Sequence, residues 1–462
     1  FRIAAVECKD LLVGSQIVIP TNIPVGYNDC KSLNLIQILP HLRLKAFEEP
    51  LKQVISVLGY RQATELCEIK SNDIYKYLRK GKHQKNNIPI NSFNKISSAA
   101  DIPVDAEKLL VTNGTGNAIP ASIPINEDFC AFLGYYVSEG YYSSIEGNGG
   151  SVIITNSNPS VLKEVIDLSE RLFDIKPTIR KVHGIGVSYQ LRINSVALVE
   201  LLKWLRCGRV CTEKRIPPLF FGLSKKKIAA FMSALYEGDG AITVSKSSGN
   251  CIRYFSTSKK LAEDVVYLLL SFGIVARISS KTYASNRQPL WTIEFKSREM
   301  VEAFINNIGF RFKGKKILKR KWSHSTRNII HFEKSMLRRH LTKYPRRYRH
   351  LFRFEKCTKS YLKKVVNDTE CEVSEQLRAF AKGEFFLDEV VAIRELSLDK
   401  PEPVYDLSVT PSQNFVGGFG GLLLHNTEAR ALYEAMRVGA LANVVAGTVH
   451  ADFVDEPGLK IC

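Results

Sequence analysis

Residues 132–140 read FLGYYVSEG, and residues 232–240 read MSALYEGDG. Each is an apolar run at helical spacing that closes on a carboxylate and a glycine. The stretches downstream are also alike. SVIITNSNPSVLKEVIDLSERLFDI (151–175) and CIRYFSTSKKLAEDVVYLLLSFGI (251–274) both run from a strand through a polar turn into a helix. Glu139 and Phe173 are 34 residues apart, and Asp239 and Phe272 are 33 apart. Agreement that close over two supersecondary units predicts a duplicated αββαββ domain with a pseudo-two-fold axis.

If the two helices pack along that axis, their facing surfaces need small residues, and Gly134 and Ala234 occupy matching places. Gly140 and Gly240 are expected to stop the helices in conformations a β-carbon resists. Glu139 and Asp239 then lie side by side at the sheet surface. Two carboxylates at helix C-termini repel each other and the helix dipole, unless a cation sits between them. Mg²⁺, a hard ion that takes carboxylate and water oxygens, suits the place, and such ions activate water in phosphodiester displacement. A single Glu-Gly or Asp-Gly helix end is a common surface feature. Two in register are not.

These repeats resemble the two motifs of a single-chain LAGLIDADG (dodecapeptide, DOD-type) homing endonuclease. The resemblance implies that Glu139 and Asp239 are catalytic acids and metal ligands, that two sheets straddle double-stranded DNA, and that a monomer makes a Mg²⁺-dependent double-strand cut. The first motif has Glu where Asp is usual. Lys181 and Lys281, each a few residues beyond the Phe that ends its repeat's helix, are candidates for the basic side chains that assist cleavage in relatives.

The rest of the chain fits a nucleic-acid partner. Sixty-five Lys+Arg against 46 Asp+Glu give a formal charge of +19 over 462 residues, too long for one core. From Arg311 to Lys364 there are 20 Lys+Arg against Glu333 and Glu355, interleaved with aromatics. Such a run suits a phosphate backbone. No apolar run reaches the length a membrane span needs. Ten cysteines without metal-binding spacing suggest reduced thiols and a cytoplasmic location. VISVLGYRQATELCEIKSNDIYKYLRKGKH, from Val54, resembles a helix-turn-helix, with Ser71 as N-cap and Asn72, Tyr75, Lys76 and Arg79 outward.

The two ends read as one β domain. VYDLSVTPSQNFVGGFGGLLLHN (404–426) resembles the C-terminal splicing motifs of an intein, and ECKDLLVGSQIVIPTNIP (7–24) resembles part of its N-terminal half. The resemblance implies that Asn426 cyclises onto its own carbonyl, that His425 polarises that carbonyl or protonates the leaving nitrogen, that Thr427 is the acceptor nucleophile, and that Asp406 orients or deprotonates it. The His usual before Asn-Phe is Gln413 here, and the opening splicing block is not upstream, so the chain is expected to start inside the intein. TEARALYEAMRVGALANVVAGTVHAD (427–452) resembles the segment after the Walker B strand of type II/IV secretion (PilT-like) ATPases, which implies host exteins in cis.

The expected architecture is thus α+β and multidomain. It comprises an all-β Hint splicing domain from 1–40 and 385–426, a helical helix-turn-helix-like segment and linker over 41–120, the endonuclease over 121–310, a basic DNA-contacting linker over 311–384, and a host remnant over 427–462. The competing reading is an inactive LAGLIDADG/helix-turn-helix regulator that binds DNA without cutting it.

Overall fold

The computed structural model describes residues 6, 8–67, 71–78, 85–114, 116–145, 149–183, 187–245, 249–283, 288–313, 328–394 and 414–425. At its centre the duplicated pattern appears twice. The first copy is helix Glu127–Glu139, strands Gly140–Ile145 and Gly149–Asn156, helix Pro159–Phe173, strands Thr178–His183 and Val187–Asn194, and a closing helix Val196–Trp204. The second runs through helix Lys225–Asp239, strands Gly240–Ser245 and Gly249–Ser256, helix Lys259–Leu270, strands Arg277–Lys281 and Leu290–Phe295, and helix Arg298–Asn307. Each four-stranded antiparallel sheet keeps the strand leaving its motif helix at one edge and the third strand at the other. Alternation sends Val152, Ile154, Leu191 and Ile193 into the core, and Arg180, Gln190 and Arg192 to the open face.

The two motif helices pack directly on one another. A β-carbon on Gly134 would stand 2.4 Å from the Phe231 carbonyl oxygen and 2.8 Å from the Ala234 Cβ. The Gly134/Ala234 match therefore reflects backbone contact. The helix stops at Gly140 and Gly240 have a different cause from the expected one. Their φ values are −104° and −83°, extended backbone open to any residue. A side chain is excluded there by crowding, since a β-carbon would come within 2.7 Å and 2.3 Å of the Tyr136 and Tyr236 carbonyl oxygens.

The flanking regions depart from the expected boundaries. Residues 32–125 are not a separate helical segment: short strands Arg43–Lys45, Ile88–Pro89, Leu110–Thr112 and Ile119–Pro120 form a small sheet. Leu33, Phe47, Val54, Phe93 and Val111 are buried in one continuous cluster with both repeats. The stretch read as helix-turn-helix-like contains two helices, and residues 68–70 between them lie outside the described residues. Helix Glu48–Cys67 breaks at Gly59 (φ 74°), helix Ser71–Leu78 follows, and Ala63, Ile74 and Tyr77 are buried while Tyr75 is exposed and stacks on Tyr60 at 4.5 Å. Arg79 lies outside the described residues.

Residues 328–382, expected as part of a basic linker, fold into a small α+β unit with its own core of Ile330, Leu337, Leu351, Leu362, Val365 and Leu377. Most of its charges point outward and its apolar residues inward, with buried Lys359 donating to the Gly383 and Phe385 carbonyls as an exception, and a net count of basic residues hides this pattern. Strand Gln16–Pro20 pairs antiparallel with Phe385–Glu389. Hairpin Asn414–Gly417/Leu422–His425 rests its tip on helix Lys259–Leu270, where the Tyr267 hydroxyl donates to the Gly418 carbonyl at 2.8 Å. No helix among the described residues is long and apolar enough to cross a membrane, and the nine described cysteines are free.

Candidate active site

Because the motif helices touch along their length, they end together. A β-carbon on Gly238 would lie 2.3 Å from Ser138 Oγ and 3.0 Å from Glu139 Cγ, so the second motif's end abuts the first motif's acid. Glu139 is half-buried, and its Oε1 accepts a hydrogen bond from Asn156 Nδ2 at 3.1 Å. Desolvation raises its carboxyl above the usual range, against the opposing pull of Lys313 and Asn156. Asp239 as a residue keeps solvent access, but protein crowds its carboxyl. That desolvation, reinforced by the nearby charge of Glu139, pushes the group up to about 7, while Lys313 and Lys214 pull the other way. The pair is adjacent and mutually repelling.

Two lysines complete the site, and neither is a residue singled out from the sequence. Lys214 is 3% exposed; its Nζ donates to the Tyr136 carbonyl at 3.0 Å and lies 3.5 Å from the centroid of that residue's ring. Burial lowers it to about 7, with the charge of Asp239 acting in the opposite sense. Lys313 Nζ donates to the carbonyls of Gly238 at 2.8 Å and Gly240 at 3.0 Å, and desolvation lowers it too. A signal for both existed in the sequence. Lys214 lies 75 residues past Glu139 and Lys313 lies 74 past Asp239, so they repeat with the acids.

Lys181 and Lys281 stand on the outer strands. Lys181 is level with Tyr189 and, beyond it, Asn156, whereas the residue level with Trp291 and Ser256 in the second sheet is Ser280, not Lys281. A one-residue offset on a strand puts the two lysines on opposite faces. Lys281 joins Arg253 and Arg277 on the open face, and Lys181 does not share the face of Arg180 and Arg192. The strands between them and the acids amount to roughly 10–15 Å.

Among the described residues no group of three or more His, Cys, Asp and Glu side chains gathers as a metal cage. The donor set for a cation is therefore the two carboxylates with backbone carbonyl, water or phosphate oxygens, which suits a hard ion. Of the residues expected to take part in splicing, His425 ends the hairpin, exposed and level with Asn414. Asp406, Asn426 and Thr427 lie outside the described residues, as does 427–462.

A family model described as the LAGLIDADG-like domain matches residues 128–203 and 226–309. The central domain is LAGLIDADG-like. Three curated relatives share longer stretches: a DNA polymerase of Thermococcus aggregans (28% identical over 319 residues, 66% of this chain and 15% of that protein), the replication factor C small subunit of Methanocaldococcus jannaschii (27% over 186, 40% and 10%), and the glutamine–fructose-6-phosphate aminotransferase of the same organism (23% over 443, 91% and 38%). The chain thus spans between 10% and 38% of the length of these relatives. Among solved structures, I-DmoI in complex with DNA and Mn is 20% identical, with 40% of this chain and 97% of that one covered at a TM-score of 0.30.

Proposed function

We propose that the LAGLIDADG-like domain is a site-specific homing endonuclease that cuts both strands of duplex DNA with Mg²⁺. The observation that carries this reading is the convergence of Glu139 and Asp239 with Lys214 and Lys313 at the paired helix ends. Glu139 and Asp239 are the residues that would hold the cation, which supplies an acidified water and charge compensation for the phosphate. Lys214, lowered by burial into the range of general bases, takes a proton at Nζ. Lys313, anchored to two carbonyls, presents positive charge beside the acids to a phosphate oxygen. Arg180 and Arg192 on one sheet, and Arg253 and Arg277 on the other, line the open faces for the DNA backbone and base edges.

On the same reading, this nuclease is nested in an intein. The relatives share a stretch with this chain that is a minor part of proteins as different as a polymerase, a replication factor and an aminotransferase. A segment that recurs so is an insertion rather than a working part of its hosts. The pairing of strands Gln16–Pro20 and Phe385–Glu389, and the hairpin that ends at His425, support an excising domain whose last steps are Thr427 attack and Asn426 cyclisation. The host on this reading is a PilT-like secretion ATPase.

The test for the nuclease is digestion of a plasmid carrying the joined host sequence. The full chain with Mg²⁺ cuts it, and Glu139→Gln or Asp239→Asn abolishes cutting while DNA binding persists. Cutting by either variant at the parental rate refutes the assignment. For the intein, mass spectrometry shows release of the segment beginning at Thr427, and Asn426→Ala stops it; release from the Ala variant refutes cyclisation.

A further inference from the structure

Glu237 lies two residues before Asp239 and is 1% exposed. Its Oε2 accepts three successive backbone N–H groups, from Arg311 at 3.1 Å, Phe312 at 3.0 Å and Lys313 at 3.2 Å. Three consecutive amides closing on one oxygen form an anion-holding turn, here filled by the protein's own carboxylate. Among the described residues Oε1 of the same group has no hydrogen-bond partner, and the contacts the carboxylate makes there are to that segment.

The segment is also held from the other repeat. The Arg311 guanidinium pairs with Glu164, which also accepts the Tyr135 hydroxyl at 2.5 Å. Tyr135 stands on the first motif helix and Glu164 on the helix that follows it. Residues 311–313 are thus fixed between the two halves, and their last member sends Nζ to the carbonyls on either side of Asp239. In the first motif the place of Glu237 belongs to Val137. There Lys214 is held by burial and Tyr136 instead, so the clasp belongs to one half of the site.

We propose that Glu237 is a positioning residue that, through the amides of residues 311–313, fixes Lys313 beside Glu139 and Asp239. The proposal rests on the endonuclease reading for its consequence, though not for its geometry. Displacing a group by about 1 Å costs on the order of 100-fold in rate, which sets the expected loss.

The experiment compares Glu237→Ala, Glu237→Gln, Lys313→Met and the Glu237→Ala/Lys313→Met double variant of the full chain. Three readouts are single-turnover cleavage with Mg²⁺, DNA affinity with Ca²⁺, and hydrogen exchange of the 311–313 amides. Glu237→Ala is expected to lose protection at those amides, keep DNA affinity, and cleave about 100-fold more slowly. The double variant is expected to be no slower than Lys313→Met alone, because the two changes act on one group. Glu237→Gln, which still offers an oxygen to the amides, recovers most of the rate. Parental cleavage by Glu237→Ala, retained amide protection, or additive losses in the double variant would each overturn the proposal. So would loss of DNA affinity in step with rate, since that marks general unfolding. The exchange arm needs no cleavage: a chain that cuts no DNA overturns the endonuclease reading, while lost protection in Glu237→Ala still supports the clasp.

Discussion

At the scale of single residues, the site works against its own stability when no cation is bound. An aspartate in an unfolded chain titrates near about 3.9, whereas desolvation and Glu139 raise Asp239 to about 7. Between those values the folded protein binds the extra proton. The contribution is therefore stabilising below the lower value and is lost as pH rises through about 7. Thermal melts in EDTA at mildly acidic and mildly alkaline pH check this: Asp239→Asn should melt higher than the parent on the alkaline side, with little difference on the acidic side. Cutting by the parent should weaken as pH falls through the same range, because the proton competes with the cation. The acids were legible in the sequence because they occur twice in matching surroundings. Lys214 and Lys313 were not, because a lone lysine in so basic a chain looks like solvated surface, and only its distance from the acid repeats.

At the scale of elements, the site depends on the contact between the motif helices. Gly134 faces the Phe231 carbonyl, which a side chain cannot displace without moving the helix. Gly134→Ala is therefore expected to cost about 1–3 kcal/mol of stability by overpacking, read by denaturant unfolding, with Gly134→Val costing more. Unchanged stability in both variants would contradict the close approach. The αββαββ order was readable because its helices and strands are long enough to show their periods. The small sheet around residues 43–120 was not, because strands of two or three residues carry too little alternation to be told from loop. The glycines that end the motif helices were found for the wrong reason, since crowding by the preceding turn requires them and left-handed backbone does not.

At the scale of the whole molecule, positive charge is divided between the open sheet faces and the unit at 328–382. Arg338, Arg339, Arg346, Arg349 and Arg353 are all exposed on that unit. Changing these five to Gln should weaken DNA binding and flatten its dependence on salt by about 0.9 in log–log slope for each phosphate no longer neutralised, measured by titration at several ionic strengths. An unchanged slope would place the unit off the DNA. That this stretch folds was hidden by composition, for twenty basic residues between Arg311 and Lys364 mask the apolar positions at Leu337, Leu351 and Leu362. On the proposed reading, cleavage requires one cation shared by the two repeats. The most direct measurement is Mn²⁺ binding to the purified full chain by electron paramagnetic resonance, with Glu139→Gln, Asp239→Asn and the double variant beside the parent. A shared site predicts that either single change removes it and the double removes nothing more; a site that survives one change and vanishes with the other would contradict it.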